Sequence, residues 1–242
     1  MEEVYIIIPA RIGSTRLPNK PLIDLNGKSL IQRVYLNASK ISKNVFIATD
    51  SEEIEQNLSK YTSKVIMTSS DHISGTDRIF EAAEKLNVNN DSLIINLQGD
   101  EPFLPLDAVT QIIEKYHSIQ PDVITLSCPL NDISDLNNPN CVKVRTNIDN
   151  YALDFLRISD EKNLNKHIGI YGYSLKTLKK LVALNPSSRE IEFKLEQLRF
   201  LDNDFSIYVS HYNNIVPHGI DTDSDVKKAK EILKNLWLFL RI

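Results

Sequence analysis

Apolar positions in the first half of the chain alternate between two patterns. Short, nearly continuous runs rich in β-branched residues predict strands that are buried on both faces of a parallel sheet. Longer stretches with apolar residues at helical spacing predict amphipathic helices. The strands are predicted at 4–8, 44–48, 64–68 and 93–97, and the helices at 29–41, 52–61, 77–86 and 107–117. This alternation predicts a doubly wound α/β fold with a mostly parallel sheet, whose ligands bind beyond the carboxyl ends of the strands.

The pattern changes in the second half, where strands follow one another with little helix between them. Strands are predicted at 123–130, 142–147, 152–158, 168–173 and 206–210, and helices at 175–184 and 188–201. A last helix is predicted at 223–240, capped by Thr222 or Asp223. These strands predict a mixed or antiparallel extension of the sheet. Because no repeat or Pro/Gly/Ser linker interrupts the chain, we expect one domain over residues 1–242.

Composition narrows the function classes. The 242 residues hold 28 Lys and Arg against 32 Asp and Glu, so the basic excess typical of nucleic-acid binders is absent. The two cysteines, Cys128 and Cys141, match neither a disulfide framework nor a zinc motif and predict buried thiols in a reducing compartment. No run of about 20 apolar residues and no signal-like start is found. We therefore expect a cytoplasmic protein without membrane insertion.

The loop after the first strand carries the clearest chemistry. Residues 9–21 combine Gly13, the hydroxyls of Ser14 and Thr15, and three cations. The cations are Arg11, Arg16 and Lys20. Backbone N–H groups and cations of this kind suit a polyphosphate, although the segment is neither a P-loop nor a dinucleotide turn. A solvated basic turn is the structural alternative.

Two carboxylates are candidate metal ligands. Asp100 follows a buried strand in Gln-Gly-Asp-Glu-Pro at 98–102, and Asp221 precedes the last helix. A carboxylate at the carboxyl end of a strand, facing a phosphate loop, suits Mg²⁺, which binds one or two carboxylates together with substrate phosphates. Asp221 is equally well explained as a turn or N-cap residue.

Other polar residues have functional and structural explanations of similar weight. Ser74 and Arg78 belong to a segment that opens a helix, where they suit a base or phosphate as well as an ordinary N-cap. His167 and Tyr171 lie in a strand with two glycines, which indicates close approach of another group. By general tendency these two residues are structural or core, and the pair Glu196-Gln197 belongs to a solvated helix face.

Together, these segments resemble the 3-deoxy-manno-octulosonate cytidylyltransferases, the CMP-Kdo synthetases of lipopolysaccharide synthesis. The matching segments occur in the family's order and span residues 4 to about 230. They are Ile-Pro-Ala-Arg at 8–11, Ser-Thr-Arg-Leu-Pro-Asn-Lys-Pro-Leu at 14–22, Ala-Thr-Asp at 48–50, Ser-Gly-Thr-Asp-Arg at 74–78, Asn-Leu-Gln-Gly-Asp-Glu-Pro at 96–102, His-Ile-Gly-Ile-Tyr-Gly-Tyr at 167–173, Leu-Glu-Gln-Leu-Arg at 195–199 and Gly-Ile-Asp-Thr at 219–222.

The resemblance implies a Mg²⁺-dependent transfer of CMP from CTP to the 2-hydroxyl of 3-deoxy-D-manno-octulosonate (Kdo), with release of pyrophosphate. It also implies a homodimer formed through a smaller mixed-sheet lobe, roughly residues 123–212. By motif, the nucleotide residues would be Arg11, Ser14, Arg16, Lys20, Ser74 and Arg78. The metal ligands would be Asp100 and Asp221, which with Arg11 and Lys20 form the expected catalytic set. The sugar-acid residues would be Gln98, His167, Tyr171, Glu196 and Gln197, with Arg157 for the carboxylate.

The chain departs from the family pattern beside the sugar site. The family has Ser-Arg and a longer Pro-containing loop, whereas here Leu156 precedes Arg157 and only nine residues separate Arg157 from His167. The acceptor is therefore open between Kdo and an 8-amino-Kdo or related 2-keto-3-deoxy acid. The 14–22 and 167–173 motifs argue against a sialic-acid-type or sugar-1-phosphate enzyme. A catalytically silent nucleotide-binding module is disfavoured because both metal carboxylates are kept.

Overall fold

The computed structural model describes residues 3–13 and 16–239, with side chains up to residue 235. Its strands are β1 Val4–Ala10, β2 Val45–Thr49, β3 Val65–Met67, β4 Leu93–Asn96, β5 Val123–Cys128, β6 Lys143–Thr146, β7 Ala152–Leu156, β8 Asn165–Ser174 and β9 Ile207–His211. Its α-helices are α1 Leu30–Ala38, α2 Glu52–Leu58, α3 Gly75–Lys85, α4 Leu106–Ile119, α5 Leu175–Val182, α6 Ser188–Phe193, α7 Gln197–Asp202 and α8 Asp223–Phe239. Short 3₁₀-helices span Lys20–Leu22 and Ile133–Asn137. The alternation predicted for the first half is confirmed, with bounds that differ by a few residues.

The nine strands found in the described residues belong to one sheet. Seven of them lie in the order β3-β2-β1-β4-β8-β5-β9, and β6 and β7 form a hairpin that pairs with β8 through β6. The strands β1 to β4 pair in parallel, as do β5 and β9, whereas β8 runs antiparallel to both β4 and β5. The predicted α/β fold with a mostly parallel sheet is confirmed, and its antiparallel part comes from β6, β7 and β8.

Helices cover both faces of the sheet. Ile6 and Ile8 of β1 pack in one apolar cluster with residues of α1 and α4, and Ile7 packs in a second cluster with residues of α3 and α5. Each of these three isoleucines is fully buried. Side chains alternate between the faces of a strand, so a continuous apolar run is what a sheet covered on both sides requires.

The helix predicted at 188–201 is wrong as a single element. Lys194 adopts a left-handed backbone conformation, with φ 53°, and ends α6, and α7 begins at Gln197. The carbonyls of Phe193 and Lys194 accept hydrogen bonds from the Arg157 guanidinium at 2.5 and 2.8 Å. A tertiary contact therefore satisfies carbonyls at the end of α6, and the break turns the buried α7 away from the more exposed α6.

The last helix has the predicted cap. The Thr222 hydroxyl accepts from the Asp225 amide, and the Thr222 amide donates to the Asp225 carboxylate. The predicted end at Leu240 lies outside the described residues. Cys128 and Cys141 are buried, free thiols, and burial raises the pKa of both. In the part of the chain that the structure describes, none of the helices has the length and apolar character needed to cross a membrane.

Candidate active site

Three loops converge at the carboxyl ends of β1 and β4. Gly99 lies so close to β1 that an added Cβ would stand 2.9 Å from the Pro9 carbonyl oxygen, which explains why glycine occupies this position. The Ile220 amide donates to the Asp100 carbonyl at 3.0 Å and ties the loop before α8 to the loop after β4. The phosphate-loop candidate, the Asp100 loop and the Asp221 loop therefore meet at one point.

Lys20 lies between the two candidate metal ligands. Its Nζ is 2.6 Å from Asp100 Oδ2 and 2.9 Å from Asp221 Oδ1. Asn19 takes a left-handed conformation, with φ 52°, and Pro21 follows Lys20 in a 3₁₀ turn that turns the lysine inward. Burial by itself lowers the pKa of Lys20, but the two carboxylates outweigh it and the net shift is upward. A single cationic group thus holds the two carboxylates together.

A first cavity, of about 390 Å³, lies over the end of β1. Every described residue that was predicted to bind the nucleotide lines it: Arg11, Arg16, Lys20, Ser74 and Arg78. Ser14, the remaining candidate, lies outside the described residues. Arg11 is exposed at this wall, whereas Arg16 reaches Asp221 Oδ1 with Nη2 at 3.2 Å. We call this space the nucleotide cavity.

Ser74 and Arg78 have structural partners as well as a place in this wall. The Ser74 hydroxyl accepts from the Asp77 amide at 3.2 Å and caps α3, so the N-cap explanation holds. Arg78 is buried, and its guanidinium donates to Thr68 Oγ1 at 2.6 Å and to Asp50 Oδ2 at 3.0 Å. Arg78 thereby joins the 74–78 motif to the Ala-Thr-Asp motif across the end of the sheet.

A second cavity, of about 540 Å³, adjoins the first and is called the acceptor cavity below. Of the residues predicted for the sugar acid, it is lined by Gln98, His167, Tyr171, Glu196 and Gln197. The two cavities share three lining residues, Gln98, Asp100 and Asp221. A ligand in one cavity and a ligand in the other would therefore meet at the candidate metal carboxylates.

Gln98 is held at this junction by Asn96. The Gln98 Nε2 donates to Asn96 Oδ1 at 2.9 Å, which orients the amide group. A Cβ at Gly169 would lie 3.5 Å from Gln98 Cγ, which is an ordinary van der Waals contact, so Gln98 does not require a glycine there. Of the two glycines in the 167–173 strand, packing requires the one at Gly172, where a Cβ would stand 2.8 Å from Ile124 Cγ2.

His167 and Tyr171 form the buried back of the acceptor cavity. Burial lowers the pKa of His167 to about 3, so its imidazole is neutral at physiological pH. Its Nε2 lies 2.9 Å from Thr125 Oγ1, and its ring contacts Phe155 and Tyr171. Burial, followed by the charge of Glu196, raises the pKa of Tyr171, which keeps its hydroxyl protonated. Both groups can exchange hydrogen bonds with sugar hydroxyls without changing charge.

Glu196 connects the acceptor cavity with α3. Burial raises the pKa of Glu196, and the nearby Thr76 and Ser74 side chains offset that shift only in part. Gln197 beside it is buried at the start of α7. The break of the predicted helix at Lys194 is what brings this pair into the wall, so the solvated-face explanation is wrong for both residues.

Arg157 is placed differently from the other candidates. Its Nε, Nη1 and Nη2 donate to the carbonyls of Phe193, Pro139 and Lys194 at 2.5, 2.8 and 2.8 Å. Its side chain is not among the described groups that line the acceptor cavity. The guanidinium joins two loops behind the wall.

Several lining residues were missed by the sequence analysis. His72 lines the nucleotide cavity, and its Nε2 contacts Glu81 of α3. Lys166 and His218 line the acceptor cavity, where His218 Nε2 lies 3.5 Å from Asp135 Oδ1. Lys166 and His218 directly precede matched motifs and His72 lies two residues before one, and this proximity was the one available signal. Glu101 also lines this cavity, where burial and the charge of Asp100 raise its pKa to about 8.

Comparisons with known proteins identify the relatives of this chain. The profile of the cytidylyltransferase family matches residues 5–208. The 3-deoxy-manno-octulosonate cytidylyltransferase of Francisella tularensis subsp. holarctica is 39% identical over 250 residues, covering 96% of this chain and 99% of that protein. The protein of the same name from Lawsonia intracellularis is 42% identical over 239 residues, covering 95% of this chain and 93% of that protein.

Solved structures show the same relationship. A CMP:2-keto-3-deoxy-manno-octonic acid synthetase complexed with CTP superposes with a TM-score of 0.88 at 34% identity, covering 96% of this chain and 99% of that one. A cytidylyltransferase from Leptospira borgpetersenii superposes with a TM-score of 0.65 at 20% identity, covering 97% of this chain and 88% of that one. This likeness shows a shared fold.

Proposed function

The chain belongs to the cytidylyltransferase family, within it to the 3-deoxy-manno-octulosonate cytidylyltransferases, and from this premise we propose how its two cavities divide the work. The enzyme transfers CMP from CTP to the 2-hydroxyl of Kdo for lipopolysaccharide synthesis. The observation that carries the assignment of the cavities is their junction at Gln98, Asp100 and Asp221. CTP occupies the nucleotide cavity and the sugar acid occupies the acceptor cavity.

The nucleotide cavity supplies cations for the phosphates. Arg11, Arg16 and Lys20 line it from one loop, with Ser14 added by motif, and Ser74 and Arg78 line it from the start of α3. Negative charge moves onto the pyrophosphate during the reaction, and fixed cations stabilise it without the cost of reorganising solvent. Lys20 and Arg11 are proposed to act on the α-phosphate and the leaving group.

Enzymes of this family generally use a divalent metal ion, and we assign Mg²⁺ to Asp100 and Asp221. The donor set fits, since two carboxylates already converge on one cationic centre, the Lys20 ammonium. Carboxylates combined with substrate phosphates are the ligands that Mg²⁺ ordinarily takes. When bound, the ion would supply positive charge to the phosphate oxygens and the nucleophile.

The acceptor cavity binds and orients the sugar acid. Gln98, at the junction, is placed to hold the group nearest the reacting hydroxyl. His167, which is neutral at physiological pH, and Tyr171 exchange hydrogen bonds with the hydroxyls of the sugar. At the side of α7, Glu196 accepts hydrogen bonds from the sugar and Gln197 both donates and accepts them. Arg157 donates to three main-chain carbonyls, and we assign it to bracing the wall instead of the carboxylate site given by motif.

The chemical step is a direct displacement at the α-phosphorus. The 2-hydroxyl oxygen of the sugar acid forms a bond to phosphorus while the bond to the bridging oxygen breaks, and pyrophosphate leaves with the electron pair. The hydroxyl proton passes to solvent or to a phosphate oxygen. Among the described residues no nucleophile–base pair lines the junction, so one in-line transfer accounts for the geometry.

We also propose the setting in which the enzyme works. It is one domain whose smaller lobe, roughly residues 123–212, mediates a homodimer in the cytoplasm, where CTP is available. Exposed apolar side chains on β7 and α6 and beside them support this contact: Leu153, Ile158, Ile191 and Phe193. A monomer by sedimentation at micromolar concentration would contradict the dimer.

The function is tested by measuring pyrophosphate release from CTP and Mg²⁺ with Kdo, 8-amino-Kdo and a sialic acid offered separately. We expect release with Kdo and a product with the mass of CMP-Kdo. The Asp100→Asn variant should keep its fold and lose at least about 100-fold in turnover, the order expected when a preorganised electrostatic group is removed. A preference for 8-amino-Kdo would change the assigned acceptor and leave the assigned cytidylyl transfer unchanged. No release with any acid would favour a silent module.

A further inference from the structure

Lys166 of β8 is a buried cation in the wall of the acceptor cavity. Its residue surface is only 4% exposed. Its Nζ donates to the Val216 carbonyl at 2.8 Å. Within residues 3–13 and 16–235, no carboxylate oxygen lies within 4.0 Å of this Nζ, and no second hydrogen-bond acceptor is found. Two of the three N–H groups of the ammonium therefore have no acceptor among the described residues.

A second buried lysine shows what a purely structural role looks like in this fold. Lys143 of β6 is fully buried, and its Nζ donates to the carbonyls of Asp135, Asn138 and Arg157. Three acceptors match the three donors of an ammonium. Lys143 is also not among the described residues that line the acceptor cavity. Lys166 differs in both respects, since it has one acceptor and faces a cavity.

Burying a charge without a partner is costly, and buried charges in proteins are ordinarily paired. A bound anion would satisfy the ammonium of Lys166 and remove this cost. Other cations close to the cavity suit the task less well. Lys228 is exposed, and three donors of Arg157 are directed to main-chain carbonyls.

The position of Lys166 fits the chemistry of the acceptor. In a 2-keto-3-deoxy sugar acid the carboxylate and the reacting 2-hydroxyl are attached to the same carbon, so the carboxylate binds near the junction of the cavities. Lys166 Nζ donates to the Val216 carbonyl, and the segment that continues from Val216 reaches Asp221 at that junction through Gly219, where an added Cβ would stand 3.0 Å from Glu101 Oε1. The ammonium thus lies on the side of the cavity where the carboxylate belongs.

We propose that the ammonium of Lys166 binds the carboxylate of the sugar acid and determines the enzyme's requirement for an acid. This inference rests on the proposed function. It also accounts for the chain's shortened segment after Arg157, because an anchor supplied by β8 needs no loop from that side.

The test compares Lys166→Met with Lys228→Met, a cation exposed at the same cavity, and offers each enzyme Kdo and the carboxamide of Kdo. Loss of a charged hydrogen bond should raise the KM for Kdo about 30-fold, which corresponds to about 2 kcal/mol at 1.4 kcal/mol per tenfold. We expect the KM for CTP to change less than twofold. The preference of the wild type for acid over carboxamide should largely disappear in Lys166→Met and persist in Lys228→Met.

A second measurement does not require the methionine variant to fold. In wild-type protein with ¹⁵N-labelled lysine, the Lys166 Nζ resonance, assigned from the Lys166→Arg variant, should shift on addition of Kdo and not of its carboxamide. An unchanged resonance, or a preference for the acid that survives Lys166→Met, would overturn the inference. If Arg157→Met loses this preference and Lys166→Met keeps it, the carboxylate is bound by Arg157 and not by Lys166. A wild type without turnover would instead refute the proposed function.

Discussion

Replacing Lys20 by methionine should have opposite effects on metal binding and on turnover. The Lys20 ammonium lies between Asp100 and Asp221, at 2.6 and 2.9 Å from their carboxylate oxygens. A divalent cation seeking the same two carboxylates must compete with it. Removal of the lysine should therefore tighten metal binding by the free protein, even though it removes a group that acts on the phosphates.

The expected size follows from the geometry. Two unit charges about 4 Å apart interact by about 4 kcal/mol at an effective dielectric constant of about 20. The Asp100 and Asp221 side chains are 30% and 35% exposed, so solvent screens a large part of this energy. We expect about 1–2 kcal/mol, which is about tenfold tighter binding of Mn²⁺. Turnover should fall about 100-fold, as for other losses of a preorganised donor.

The assay is titration calorimetry with Mn²⁺ in the absence of CTP, paired with pyrophosphate release at saturating substrates. Lys40→Met, which removes an exposed lysine from the same half of the chain, is the control and should match the wild type in both. Mn²⁺ affinity that is unchanged or weaker in Lys20→Met would refute the competition between lysine and metal. Turnover that survives would refute the role of Lys20 at the phosphates.

Three further predictions concern packing and protonation. Gly172→Ala should lower the free energy of unfolding by about 1–3 kcal/mol in a denaturant titration, because the new Cβ would stand 2.8 Å from Ile124 Cγ2; equal stability would contradict the packing. His167 should show no ring titration by NMR between pH 8 and 5, since burial lowers its pKa to about 3, and protonation near pH 6 would contradict its burial. The pKa of Glu81 is lowered to about 2, because hydrogen bonds from Lys85, the Ser69 amide and His72 outweigh burial. The ionised Glu81 carboxylate therefore stabilises the fold fully above about pH 4.5, and this contribution is lost as the pH falls toward 2. The unfolding free energy of Glu81→Gln should depend less on pH in that range than that of the wild type.

The sequence by itself determined the α/β architecture and, apart from Arg157, which of the described candidate residues lie together in each of the two cavities. Apolar periodicity is local, so the buried strand at 93–97 and the amphipathic α3 could be predicted without knowledge of their neighbours. The motifs also grouped correctly in space. Arg11 and Ser74 line one cavity, and His167 and Gln197 line the other, because the carboxyl ends of the parallel strands and the amino end of the antiparallel β8 lie at one edge of the sheet.

Only the tertiary structure decided what each of these side chains contacts. Lys20 meets Asp100 and Asp221 across separations of 80 and 201 residues, which no local pattern encodes. Long-range contacts also changed the predictions near the acceptor cavity. The helix predicted at 188–201 is broken at a left-handed Lys194, whose carbonyl accepts a hydrogen bond from the Arg157 guanidinium.

The difference between Lys143 and Lys166 shows the same limit most clearly. Both are lysines in or beside strand patterns, and both are buried in the fold. Lys143 finds three carbonyl acceptors in loops that fold around it, whereas Lys166 finds one and faces a cavity. Periodicity predicts which positions are buried, but the number of partners that a buried charge finds depends on chain segments distant in sequence. That number separates a structural lysine from a candidate binding group.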